Sequence, residues 1–390
     1  MAVMRIILLV LTLVAQPVWW LGLIREWFTA DRRLTAERRF FGSAVYQDKF
    51  EVRHFVLLSL SYGVLASVIS VLLGITIPIG WAIGYMILSL LAVIIGPATG
   101  IPITVLTISV LCYQVVDPVK QVTGVDTWLQ TTGIHPSETT MIGLLAVMVV
   151  TLFIGGLWVH RIGGRFEAPR IYSQRRGKLI AGYRFNELLV VPMLVMVPGD
   201  WFTSHLAFWP VLNINHQSVT FIFLPLLIGL RMTIFKQMQR AALKLFAKWE
   251  LIISALGGLL LIGSFFYSAV FLPAVVGLYL FYLILLVWTR WHDRHQSFWF
   301  SKVDRGVRVL GIKPETPAAK MAINTGDIIV ECNHEPVNSE TEFYEALLLN
   351  STYCHLRLQT PQGDLKVTET AIFAGSPHEI GIVVFRDATH

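Results

Sequence analysis

The chain has 390 residues, of which 55% are hydrophobic and only 14% charged, with a mean hydropathy of +0.63; a soluble domain carries about 25% charged residues. A composition this apolar excludes an ordinary soluble enzyme and points to a membrane protein. The net charge of +6 is unevenly placed: residues 1–301 carry 23 Lys/Arg against 13 Asp/Glu, and residues 302–390 carry 8 against 12, so the basic excess belongs to the apolar part and its loops rather than to a nucleic-acid surface.

Residues 3–24 open the chain with an apolar run that ends in Trp19, Trp20 and Arg25. It is long for a signal peptide, has no small-residue cleavage site, and reads as a retained first span with an aromatic interfacial end. Further runs at 55–77, 81–96, 101–116, 139–159, 186–204, 217–234, 250–270 and 274–289 approach the length a bilayer-crossing helix needs. The expected fold class is therefore a polytopic α-helical membrane domain over residues 1–289, with about seven to nine transmembrane helices.

Charge gives the orientation. The loop 25–54 holds Arg25, Arg32, Arg33, Arg38, Arg39, Lys49 and Arg53, and the loop 160–185 holds Arg161, Arg165, Arg170, Arg175, Arg176, Lys178 and Arg184. Both should be cytoplasmic, and four crossings between them satisfy the parity. The intervening loop 117–138, with Asp117, Asp126 and Glu138 against Lys120, should be external. Arg231, Lys236, Arg240, Lys244 and Lys248 recur at near four-residue spacing, which puts their cations on one helix face. The same count leaves the N-terminus outside and the C-terminal residues in the cytoplasm.

Catalytic and transport chemistry leave little trace. There is no HExxH pair of imidazoles for zinc, and Gly263-Ser264 is followed by Phe265-Phe266, so no tight serine turn forms. His205 directly follows Ser204, and sequence neighbours do not face each other on a helix. The acids Glu187, Asp200 and Glu250 sit at span ends, as interfacial anchors would. Pro192, Pro198, Pro210 and Pro225 are compatible with broken helices, a weak transporter signal. His292 and His295 lack a third ligand, and Cys112, Cys332 and Cys354 suit free thiols. No catalytic residue, metal or cofactor is expected; a relative or regulator of a membrane protease, or a transporter with a regulatory domain, are the alternative readings.

Residues 290–301 form a charged, aromatic juxtamembrane linker, after which the pattern changes to a small α+β domain over 302–390. A strand Val307–Ile312 is followed by a turn and a short helix with Thr316 as N-cap and Pro317 at the first position. Gly326-Asp327 leads into a strand Ile328–Cys332, and Ser339 with Glu342 form a capping box for a second helix. Strands at 353–359 and 365–372 flank a turn at 360–364, and a last strand covers Ile380–Phe385.

The segments PETPAAKMAINTGDIIVECN and VNSETEFYEALL closely resemble bacterial PDZ domains in order and spacing. Asn333-His334-Glu335-Pro336 departs from the usual Asn-Gly and changes only a turn. The strand order reads as circularly permuted, because the apolar-Gly-apolar motif of the carboxylate-binding loop comes last. If the PDZ pattern carries over, Glu379, Ile380, Gly381, Ile382 and Val383 form that loop and an edge for β-augmentation. Glu340, Tyr344 and Leu347 then line the facing helix, although Tyr344 and Leu347 also suit the core, Leu347 equally well. Asp304-Arg305-Gly306-Val307 is the second candidate loop.

Taken with the terminal HEIGIVVF, this architecture is similar to the MinJ family of cell-division topological determinants. The resemblance implies a non-enzymatic membrane adaptor that connects DivIVA to MinD and MinC. Its PDZ groove would take cytoplasmic proteins or peptides, its basic loops would meet partners or anionic membrane lipids, and the chain could form a homo-oligomer.

Overall fold

The computed structural model describes residues 12–96, 101–123, 138–173, 179–199, 202, 209–214, 217–296, 300–350, 352–372 and 380–385. Five helices come first: α1 Pro17–Phe41, α2 Phe50–Leu73, α3 Ile79–Ile95, α4 Ile101–Thr123 and α5 Glu138–Ile162. A four-stranded antiparallel sheet follows, built from β1 Pro169–Ser173, β2 Leu179–Pro198, β3 Val211–Ile214 and β4 Gln217–Ile234 in the order β1-β2-β4-β3. Two long helices, α6 Gln239–Phe266 and α7 Phe271–His295, complete the apolar part. Among the described residues four helical stretches are long and apolar enough to cross a membrane: Phe50–Leu73, Met141–Ile162, Gln239–Phe266 and Ser268–His295. Ile79–Ile95 and Ile101–Val115 are apolar but shorter. The expected external loop falls largely outside the described residues.

Two expectations fail here. The runs 186–204 and 217–234, read as helical spans, are the strands β2 and β4 of one long hairpin, paired from Tyr183↔Ile234 to Pro198↔Val219. Both sheet faces are buried along most of β2, so the strands read as continuous apolar runs without alternation, and composition cannot separate them from helices. The second failure is the 25–54 loop, much of which is helix. Helix α1 continues to Phe41, with Glu26, Ala30, Arg33 and Glu37 on its buried face. Residues i, i+4, i+7 and i+11 share a side, so polar residues taken for a solvated loop line an interior seam.

A hairpin in an apolar layer must satisfy its edges, because lipid offers no hydrogen bonds. On β2 the outward backbone groups are those of the even residues. The N–H of Leu188 donates to the Glu26 carboxylate, and the N–H groups of Val190 and Leu194 donate to the hydroxyls of Ser59 and Ser67 on α2, at 3.3 and 2.9 Å. Met196 then pairs with residues 75–77, donating to the Ile75 carbonyl and accepting from Ile77. On the far edge of β4, Leu227 N–H donates to Tyr85 Oη at 3.1 Å, and the Phe223 carbonyl accepts from Gln16 at 2.6 Å. Pro192 and Pro225 are register partners at outward positions, where a missing N–H costs least. Gly63 lets α2 approach this edge; a Cβ there would lie 2.9 Å from the Pro192 ring.

The polar end of the helical part is held by Arg33. Its five donors meet Glu51 twice (2.6 and 3.2 Å), Glu37 (3.2 Å), and the carbonyls of Tyr46 and Asp48 (3.0 and 2.7 Å). A guanidinium is the only side chain with that fork of donors. Glu37 also accepts from the Val45 N–H at 2.8 Å, and His54 meets Glu187 at 3.1 Å. Glu187 is thus a buried partner of a histidine rather than an interfacial anchor, and Glu250 is buried on α6. The helix α7 runs through His292 and His295, while Asp293 accepts from the N–H groups of Phe235 and Lys236, both at 3.1 Å, and ties α7 to the end of β4.

The C-terminal part holds β5 Val307–Arg308, β6 Gly311–Ile312, α8 Pro317–Lys320, β7 Ile328–Cys332, β8 Glu335–Pro336, α9 Glu340–Leu348, β9 Tyr353–Gln359, β10 Leu365–Ala371 and β11 Ile382–Val383. One sheet runs β10-β9-β7-β5 with β8 on β7, and β11 pairs with β6. The single expected strand 307–312 is thus two short ones. Ser339 caps α9 as expected, accepting from Glu342 N–H at 3.1 Å, and Glu342 reaches back to Asn338 N–H at 2.8 Å. Thr316 does not cap α8; its hydroxyl donates to the Lys313 carbonyl at 2.7 Å instead. Asn333 and His334 both take positive φ (50° and 70°) in the two-residue β7–β8 hairpin, the left-handed pair that a type I′ turn requires.

Candidate functional site

The terminal segment 380–385 is seated against β6 by backbone bonds. Leu310 N–H donates to the Val383 carbonyl (2.7 Å), Lys313 to Gly381 (2.8 Å), and Ala318 to Ile380 (3.0 Å). Gly381 has φ +91°, and a side chain there would collide with Thr316, so glycine is required on both counts. Because Gly381 and Val383 spend their carbonyls on β6, the backbone of Ile382 and Val384 faces the opposite edge. Among the described residues β11 has no second strand neighbour.

Side chains alternate to two destinations. Ile380, Ile382 and Val384 enter the domain core with Phe343, Leu347 and Leu356. Val383 and Phe385 point the other way, into a second core shared with Val45, Ala181, Tyr183, Phe300 and Leu310. The sequence-predicted helix residues divide likewise. Leu347 is a core residue at 7% exposure, Tyr344 is half-buried against the same core and 5.4 Å from the Phe343 ring, and Glu340 is half-buried at the start of α9. Glu340 and Phe385 line a shallow depression with Lys302, Gly306, Arg308 and Asn338. Glu379 lies outside the described residues.

The second candidate loop is structural in its contacts. Gly306 has φ +80°, its N–H donates to Asn338 Oδ1 at 3.1 Å, and a Cβ would sit 2.8 Å from the Ile329 carbonyl oxygen. The Gly326-Asp327 motif is also structural. Gly326 has φ +100°, its N–H and the Asp327 carbonyl bond Val309, and the Asp327 carboxylate accepts from Asn324 N–H at 2.9 Å. Burial pushes the Asp327 carboxyl up, against the opposing effect of that bond and of Lys366. Among the described residues no group of three or more His, Cys, Asp or Glu is placed to hold a metal ion.

Sequence reasoning missed how this domain joins the rest. Residues 300–302 pair with the start of β2: Ala181 N–H donates to Phe300 (2.8 Å), Lys302 N–H to Leu179 (3.3 Å), and Ile180 bridges Ser301. Tyr183 Oη donates to the Leu310 carbonyl at 2.6 Å, and its ring meets Phe300 edge-on at 4.6 Å. The available signal was the apolar outer face of Leu310, Val383 and Phe385, which an isolated domain would expose to water.

Comparison with known proteins gives two findings. The PDZ domain family matches residues 298–359. Over nearly its whole length the chain is similar to the probable cell division topological determinant MinJ of Lacticaseibacillus paracasei, 29% identical over 397 residues, covering 97% of this chain and 99% of the relative. It is also 27% identical over 380 residues to the cell division topological determinant MinJ of Bacillus subtilis strain 168, covering 95% of this chain and 93% of that protein. The chain is a MinJ-like protein that carries a PDZ domain at its C-terminal end.

Proposed function

We propose that the protein is a non-enzymatic membrane adaptor in division-site selection, linking DivIVA to MinD and MinC from the cytoplasmic face of the membrane, at septum and poles. The observation that carries this is the similarity to MinJ along nearly the full chain, membrane part and PDZ domain together. The docked geometry supports the orientation: Val45 and Tyr183, from the two basic segments, share a core with the PDZ residues Leu310, Val383 and Phe385. The basic segments and the PDZ domain therefore lie at one end of the molecule, as one cytoplasmic face requires.

Partner peptides would pair with the open edge at Ile382 and Val384 beside α9, in a circularly permuted PDZ groove, with Ile380, Gly381, Ile382 and Val383 as floor and Glu340 and Tyr344 as the wall. Support comes from the terminal strand lying antiparallel to β6 and from the positive φ of Gly381. The test is a fluorescent fusion in cells of a rod-shaped Gram-positive host. Septal localisation should depend on DivIVA, and a uniform membrane signal indifferent to its loss would sink the reading. Glu340→Lys and Tyr344→Ala test the groove, and recruitment that survives both would place the docking site elsewhere. Gly381→Trp is a poor probe, because any side chain there collides with Thr316.

A further inference from the structure

A second polar site lies outside the PDZ domain, where β1 ends and leaves the edge of β2 uncovered. A cavity there is lined by Arg170, Arg184, Asn186 and Glu187 from the sheet region, with Thr29 from α1 and Glu51 from α2 among its other walls. Its two sides differ in charge balance. The acids are engaged, Glu51 by Arg33 and Glu187 by His54. Among the described residues, Arg170 and Arg184 have no ion-pair partner, and the Nε of Arg184 is buried without a hydrogen-bond partner.

The register concentrates the cations. Arg170 is opposite Gly182 and Arg184 opposite Thr233, while Arg231 is opposite Asn186. Residues 182, 184 and 186 share a face of β2, so three arginines from three adjacent strands stand on one side of the sheet. They are close enough, with Arg32 of α1, to hold the Arg184 guanidinium down at about 10, behind the larger effect of burial. By the alternation seen at Leu188 and Val190, the Asn186 N–H also points out of this edge. Like charges gathered around an unmet buried donor are costly unless an anion completes them.

We infer that this cavity is a phosphate-group site, with Arg170 and Arg184 as its principal ligands and the headgroup of an anionic phospholipid as its occupant. Lipid is favoured over free phosphate by the neighbouring helix face. Trp20, Ile24, Trp27 and Phe28 on α1 are 47–58% exposed at i, i+4, i+7 and i+8, and Phe28 precedes the cavity residue Thr29. Exposed aromatics of this kind mark the headgroup level of a bilayer. The inference rests on the cytoplasmic placement of the basic segments proposed above, and on their expected contact with anionic lipid, and is independent of the groove.

The experiment uses the full chain in a non-ionic detergent, with thermal unfolding followed while short-chain phosphatidylglycerol, short-chain phosphatidylcholine or inorganic phosphate is titrated in. Phosphatidylglycerol should stabilise the protein at concentrations where phosphatidylcholine does not, and Arg170→Gln or Arg184→Gln should weaken that effect about tenfold. Arg184→Lys keeps the charge and guards against misfolding, and should retain part of the effect. Lys320→Gln, at an exposed position of α8, should leave it unchanged. Stabilisation by inorganic phosphate as well would support the site with a free anion as occupant. Lipid preference that survives both cavity variants would overturn the site alone. No preference in the unaltered chain would overturn the lipid-contact reading too, and leave the PDZ groove untouched.

Discussion

At the scale of single residues, Arg33 shows how a charge is kept inside this protein. Each of its five donors has an acceptor, and two of those acceptors, Glu37 and Glu51, are themselves buried. Removing the guanidinium strands both carboxylates, so Arg33→Ala should cost about 3–5 kcal/mol, read from thermal unfolding in detergent. Arg33→Lys should recover only part, because an ammonium cannot fork between them. Glu167 carries a pH dependence. Burial pushes its carboxyl above the ordinary 4.5, opposed by the Thr325 hydroxyl and by Arg240. Between 4.5 and that raised value the folded state holds a proton that the unfolded chain has lost, so stability falls as pH rises through this window. Thermal unfolding in detergent should show that fall, and Glu167→Gln should flatten the profile.

Among the elements, the hairpin of β2 and β4 is the one that needs most explanation. An isolated hairpin cannot stand in an apolar layer, and this one survives because neighbouring helices complete its edges with Ser59, Ser67, Glu26, Tyr85 and Gln16. Ser67→Ala leaves the Leu194 N–H without its acceptor and should cost about 1–3 kcal/mol in thermal unfolding. Ser61→Ala, on an exposed turn of the same helix, should stay within about 0.5 kcal/mol. Part of this was legible: Ser59, Gly63 and Ser67 recur every four residues, a small-residue face made for close approach. What approaches it was not, because a strand buried on both faces shares its composition with a buried helix. The paired prolines also misled, since Pro192 and Pro225 suit strand edges as well as broken helices.

For the whole molecule, the consequence of that hairpin is that the PDZ domain is fixed rather than trailing. The extension of β2 beyond the helices pairs with residues 300–302, and Tyr183 holds Leu310. A peptide that added to the edge of β11 would pull on a strand whose outer face, Val383 and Phe385, is packed on the membrane part. Phe385→Asp should release the domain by burying a charge in that core, and Tyr183→Phe should loosen it by about 1 kcal/mol. Faster amide exchange at 309–311 together with 179–183 is the expected reading; exchange confined to one side would mean the two parts do not move as a unit.

The sequence alone determined the features that local chemistry decides. The membrane character follows from composition, and the PDZ domain from the order of its turns, caps and strands. The capping box at Ser339 and the strands 353–359 and 365–371 were legible for the same reason: each is specified by residues close in the chain. Only the tertiary structure decided that 186–198 and 217–234 are strands, that Glu26, Arg33 and Glu187 are interior, and that Val383 and Phe385 dock the domain. Most of those outcomes depend on partners more than a hundred residues away, such as Ser67 for Leu194 and Tyr183 for Leu310; Arg33 instead depends on Glu37 and Glu51 nearby in the chain. A run of apolar residues fixes what must be buried; the hydrogen-bonding groups brought alongside fix the conformation in which burial is possible.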